Sequence, residues 1–104
     1  MPNDTPAQGA LISWTFLTNY GHVLILIAQE PMIRARDLSR QVGITERAVQ
    51  RIVADLANAG YVSRQRVGRR NRYVVHFDQP LRHPVENRFT VGDLLRFLRD
   101  GPGQ

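Results

Sequence analysis

Cysteine is absent from this sequence, and so is lysine. The first absence excludes a disulfide scaffold, a thiolate metal site and a cysteine nucleophile, and it fits a reducing compartment. Long apolar stretches are missing as well. The longest, Val23 to Ala28, is six residues, far short of the roughly 20 that a membrane span needs. No Lys or Arg precedes Arg34, so the start lacks the charged region of a secretory signal. These absences predict a cytoplasmic protein with no membrane partner. Catalytic patterns are also lacking. Ser13, Ser39 and Ser63 stand in no nucleophile turn, no glycine loop is built to cradle phosphate, and no acidic pair is evident. His22, His76 and His83 are too dispersed for a conventional metal-ligand set. The sequence therefore reads as a non-enzyme with no metal and no cofactor.

What is present is a chain of 104 residues, 42% of them apolar, with a net charge of +5. That size supports one domain with one core. All fourteen basic residues are arginine, and they are unevenly placed. From Arg34 to Arg72, ten arginines face three acids (Asp37, Glu46 and Asp55), a balance of +7. Outside that stretch four arginines face six acids, a balance of −2. The positive charge belongs to one region, which favours an acidic polymer as partner.

Periodicity divides the chain. Residues 1–9 carry two prolines, a glycine and small polar residues, the composition of a flexible tail. Ala10 to Leu17 alternates imperfectly and suggests a short strand, with a helical start as the alternative. Thr18 or Asn19 is placed to cap a helix that runs to about Glu30, where Pro31 stops it. A second helix, Ala35 to Val42, ends at Gly43, and Ile44 and Thr45 lead into a third from Glu46 to Ala59, stopped by Gly60. On that third helix Ala48, Val49, Ile52, Val53, Leu56 and Ala59 share one arc, whereas Glu46, Arg47, Gln50, Arg51, Ala54 and Asn58 share the other. After Gly60 the period shifts towards two. Tyr61 to Arg66 and Asn71 to Phe77 read as a hairpin with Tyr73, Val75 and Phe77 on one face, joined through Gly68. A proline-containing connector and a short helix, Thr90 to Arg99, close the chain, with Thr90 and Asp93 spaced as a capping box and Val91, Leu94, Leu95 and Leu98 as its stripe. Residues 10–78 thus form the principal domain, and 79–104 form the connector and C-terminal helix.

Helix, short helix, glycine turn, longer helix and arginine-rich hairpin follow the order of a winged helix-turn-helix. Arg36-Asp37-Leu38 through Val42-Gly43-Ile44-Thr45 resembles the two-helix turn of bacterial MarR-like and ArsR-like transcriptional regulators. Val49 to Leu56 followed by Ala59-Gly60-Tyr61-Val62 does too, and Val67-Gly68-Arg69-Arg70-Asn71-Arg72-Tyr73 resembles their wing. The resemblance covers about residues 18–76. It implies an α+β fold with a small helical core, a β-hairpin wing and a short extra C-terminal helix. It also implies that the helix opened by Thr45 enters the DNA major groove while the wing meets the backbone or minor groove. This chain departs from ArsR-like metal sensors in lacking their cysteine clusters, and from larger MarR-like proteins in lacking long terminal helices.

The residue chemistry agrees with that reading. Arg47 and Arg51 suit guanine, Gln50 suits adenine, Glu46 suits cytosine, and Thr45 caps the helix they stand on. Arg64, Arg66, Arg69, Arg70 and Arg72 crowd five guanidiniums into nine residues, and phosphate is the anion their paired donors fit best. Tyr61 and Tyr73 read as packing residues rather than stacking platforms. The Ile12-Trp14-Phe16 set and the C-terminal stripe exceed what a small trihelical core needs, which predicts a homodimer. The rival readings are a winged-helix module that holds a protein partner and an RNA-binding module. The identity of any small-molecule effector is not legible in the residues.

Overall fold

The apolar run that opens the helical core is hydrophobic nearly all round, and in the computed structural model, which describes residues 13–101, it lies at the centre. Helix α1 (Asn19–Gln29) buries Val23, Leu24 and Ile27 and ends at Glu30, immediately before Pro31. Thr18 occupies the N-cap position in extended conformation, but its side chain makes no capping bond.

Helix α2 (Ala35–Val42) is short and polar, and one residue, Leu38, fixes it to the core with no exposed surface. Burying a leucine completely contributes roughly 1.5–3 kcal/mol. Gly43 ends α2 at φ 86°, a left-handed conformation that glycine adopts without steric cost. The chain then re-enters helix at once. Thr45 Oγ1 accepts the Ala48 amide at 3.0 Å and opens α3 (Glu46–Asn58). Val49, Ile52, Val53 and Leu56 of α3 are buried, as its apolar arc predicts. Gly60, at φ 87°, turns the chain out of the helix, and a Cβ there would lie 2.6 Å from Gln79 Nε2.

Strands β1 (Val62–Val67) and β2 (Arg70–Val75) pair antiparallel, from Val62 opposite Val75 to Val67 opposite Arg70, across the two-residue turn Gly68-Arg69. The expected alternation holds only in part. Past Val62, every residue of β1 is exposed, because nothing covers that strand's outer half. On β2, Tyr73 is buried and Val75 half-buried, whereas Phe77 lies beyond the strand's end and is exposed. The other edge of β2 is held by the α1–α2 loop: the Tyr73 amide donates to the Pro31 carbonyl at 2.9 Å.

The C-terminal segment is built onto this body. Pro80 bridges to Thr90, and Tyr61 donates its hydroxyl to the Pro80 carbonyl at 2.6 Å. Helix α4 (Val91–Asp100) opens with the full capping box, Thr90 and Asp93 each bonding the other's backbone amide. Those bonds hold the Asp93 carboxyl below the usual carboxylate range. Gly92 donates to the Phe77 carbonyl at 2.8 Å, an approach that leaves no room for a Cβ.

The predicted apolar stripe of α4 divides: Val91 is in the core, Leu94 and Leu95 are half-buried, and Leu98 is exposed beside Phe97. The short strand expected over Ala10 to Leu17 does not form in Ser13–Leu17, and residues 10–12, Ile12 included, lie outside the described residues. Trp14 and Phe16 stack edge-to-face on the surface instead of entering the core, 5.1 Å between ring centres. The architecture is the α+β winged helix-turn-helix: three helices, a hairpin wing and a fourth helix. Among the described residues no helix is long and apolar enough to cross a membrane.

Candidate nucleic-acid interface

The outward arc of α3 presents Glu46, Arg47, Gln50, Arg51 and Asn58 to solvent around the smaller Ala54. This is the arc opposite the buried one, so core packing dictates its direction. Thr45 is exposed at the helix start, with its hydroxyl oxygen committed to the Ala48 amide. Glu46 lies in the first turn, where a carboxylate also complements the positive end of the helix dipole.

A second tie sets the far half of α3. Tyr20 on α1 donates its hydroxyl to Asp55 Oδ2 at 2.6 Å. The carboxylate acceptor favours the protonated phenol, so the Tyr20 hydroxyl titrates above the ordinary tyrosine range. Asp55 is thereby turned towards α1. Asp37 pairs with Arg40 at 2.7 Å, within α2. Two of the three acids in the basic stretch are therefore occupied locally. Among the described residues, Arg47, Arg51, Arg64, Arg66, Arg69, Arg70 and Arg72 have no carboxylate at ion-pair distance.

The five hairpin arginines are not equivalent. Arg64 stands opposite Tyr73 and shares its face, while Arg72 stands opposite Gln65 on the other face. Arg66 turns its Nε back to the Gly68 carbonyl at 3.2 Å. Arg69 is exposed in the turn. Arg70 is half-buried and donates from Nη2 to the Met32 carbonyl at 2.6 Å, which helps fasten the wing to the α1–α2 loop. The fold brings Gln50, Arg64, Arg69 and Arg70 around one cleft between α3 and the wing, while Arg66 and Arg72 lie outside it. Arg34 lines the same cleft. Sequence reasoning left Arg34 out of the site because it stands thirty residues before Arg64 and carries no pattern of its own.

Tyr61 and Tyr73 are buried, as packing residues should be. The histidines are separately engaged: His22 with Asn19, His76 with Ser63 at 2.7 Å, and His83 Nδ1 accepting the Val85 amide.

Residues 21–63 match a family model described as winged helix-turn-helix DNA-binding. Over that span the chain is similar to DNA-binding domains of this kind. The matched region includes the whole of α2, the turn and α3, and it stops one residue before Arg64. The wing and its arginines are thus described by the structure rather than by the family match. No curated protein matches the chain.

Proposed function

We propose that this chain is a sequence-specific double-stranded DNA-binding transcriptional regulator, cytoplasmic and non-enzymatic, with a two-helix turn that resembles those of MarR-like and ArsR-like regulators. The observation that carries this reading is the outward arc of α3. Four side chains able to address base edges or phosphates stand exposed at its amino-terminal half, beside wing arginines that have no counter-ion among the described residues. In this reading Thr45, Glu46, Arg47, Gln50 and Arg51 face the major groove, where paired donors distinguish bases. Arg64, Arg66, Arg69 and Arg72 neutralise phosphates, and Arg70 does so with whatever donors its bond to Met32 leaves free.

One module of this size covers one half-site, so the regulator acts as a homodimer on paired half-sites. The surfaces offered for the two-fold are the Trp14-Phe16 pair and the Phe97-Leu98 edge of α4, all exposed in the single chain. Selection from a random duplex pool, followed by binding measurements on selected and scrambled duplexes and on RNA of equal length, tests the proposal. A selected duplex that outcompetes both others is the expected result. Equal affinity for all three polymers refutes sequence-specific reading, and stronger binding to RNA replaces it. Sedimentation with and without the selected duplex checks the dimer, which a monomer at tens of micromolar in both conditions rules out.

A further inference from the structure

Between the wing, the first half of α3 and the loop joining α1 to α2 lies a cleft of about 360 Å³. Arg34, Arg64 and the adjacent Arg69 and Arg70 line it from three separate segments of the chain, and among the described residues no Asp or Glu does. Gathering guanidiniums round one hollow without a carboxylate costs electrostatic free energy that a bound anion offsets. Arg70 is the anchored member of the set: its Nη2 donates to the Met32 carbonyl, so one guanidinium is held in place at the cleft. The rim also includes the start of α2, where Arg34 is the N-cap and its side chain accepts no amide. The helix's positive end therefore adds to the field there. Below this cationic rim, the half-buried Met32 and Ala35 supply apolar wall over the buried Val49 and Val53. The volume falls in the range of small-ligand sites and exceeds the needs of a bare tetrahedral anion.

We propose that this cleft takes a small organic phosphate, its phosphate group among the four arginines and its carbon part against Met32 and Ala35, and that its occupancy excludes duplex DNA. The exclusion rests on the DNA-binding reading, because Gln50, Arg64 and Arg69 serve both. Competition for shared side chains is reciprocal, so duplex weakens the small phosphate by the same factor.

The test titrates the full-length ¹⁵N-labelled chain with inorganic phosphate, with phenyl phosphate and with chloride, at matched ionic strength. Phenyl phosphate should give saturable shifts confined to the amides near Ala35, Asn71 and Tyr73, and it should bind more tightly than inorganic phosphate. Arg34→Ala and Arg64→Ala should each weaken it about tenfold, the loss of one charge-assisted hydrogen bond, with the remaining spectrum unchanged. In a second arm, phenyl phosphate should release a labelled duplex with a midpoint that follows its own affinity. Shifts reproduced by chloride and spread to Arg96 and Arg99 overturn the site, as does wild-type affinity in Arg34→Ala. A duplex that perturbs the same amides when neither small phosphate does assigns the cleft to backbone phosphate and also overturns it. Saturable phenyl phosphate binding that leaves the duplex in place overturns the exclusion. A wild type that binds phenyl phosphate but no duplex removes the DNA reading and the exclusion with it, and upholds the phosphate site.

Discussion

Helix α3 and the hairpin beside it differ in charge, two arginines balanced by two acids on the helix against five unopposed arginines on the hairpin, and they are held in opposite ways. Four residues of α3 are buried, its first turn is capped by Thr45, and Tyr20 ties its far half to α1. The hairpin has one buried residue on each strand, Val62 and Tyr73, and hangs from the body by β2. Strand β1 is left as an exposed edge carrying Arg64 and Arg66, a composition that also discourages pairing with another chain's edge. In the proposed reading, the difference follows from what each element has to present. Base reading needs side chains placed to within fractions of an ångström by a packed core, whereas phosphate neutralisation needs charge close to a backbone and tolerates movement.

The largest break in that comparison is in stability. Leu38→Ala empties a fully buried site beneath the turn and should cost about 2–5 kcal/mol in urea unfolding. Arg66→Ala, on the exposed edge, should stay within about 0.5 kcal/mol of wild type. Comparable losses from the two would mean that the wing contributes to the core in a way its exposure does not suggest.

Binding should separate the two elements next. Gln50→Ala and Arg51→Ala should each lose on the order of 1–3 kcal/mol on the selected duplex and far less on a scrambled one. Arg69→Ala combined with Arg72→Ala should weaken both duplexes alike and flatten the logarithmic salt slope by roughly 0.9 for each phosphate contact removed. Salt titrations of both variants on both duplexes decide the matter. An unchanged slope in the wing variant removes the wing from the backbone, and equal losses on both duplexes remove α3 as the reader. Arg70 is unsuited to this experiment, because its bond to the Met32 carbonyl makes any substitution structural as well as electrostatic.

Most of the fold was legible because its signals are local. Gly43, Thr45 and Gly60 bracket α2 and α3 by conformational preference alone, and the 3.6-residue spacing of Val49, Ile52, Val53 and Leu56 identifies the buried arc. The same arithmetic identifies the exposed arc, which carries the α3 half of the proposed site. What escaped depends on neighbours distant in sequence. Phe16 follows Trp14 at the two-residue spacing of a strand, yet among the described residues no partner strand lies beside it, and its ring stays in solvent. Arg70 sits in a run of wing arginines with nothing to mark it as the one that reaches Met32. Arg34 joins the wing's cleft only because the Tyr73 amide draws the α1–α2 loop against β2. Leu98 continues the spacing of Val91 and Leu94, but burial falls along α4 from Val91 in the core through half-buried Leu95 to exposed Leu98, so the stripe outruns the core.

The smallest effect concerns the side-chain tie that orients α3. Because the Asp55 carboxylate accepts the Tyr20 hydroxyl, the folded state holds that proton more tightly than the unfolded chain does. A group whose folded pKa is raised contributes stability at pH values below its unfolded pKa and loses it as the pH rises through the folded one. Tyrosine in an unfolded chain titrates near pH 10, so the tie is intact at neutral pH and fails only in the alkaline range. Tyr20 is 40% exposed, and water competes for both partners, so the contribution is small. Urea midpoints measured from neutral pH to about pH 11 should fall more steeply for wild type than for Tyr20→Phe, and the two curves should approach one another at the alkaline end. Parallel curves would mean that α3 is oriented by its buried arc alone. In that case the contrast between the two elements rests on packing, with no help from the phenol.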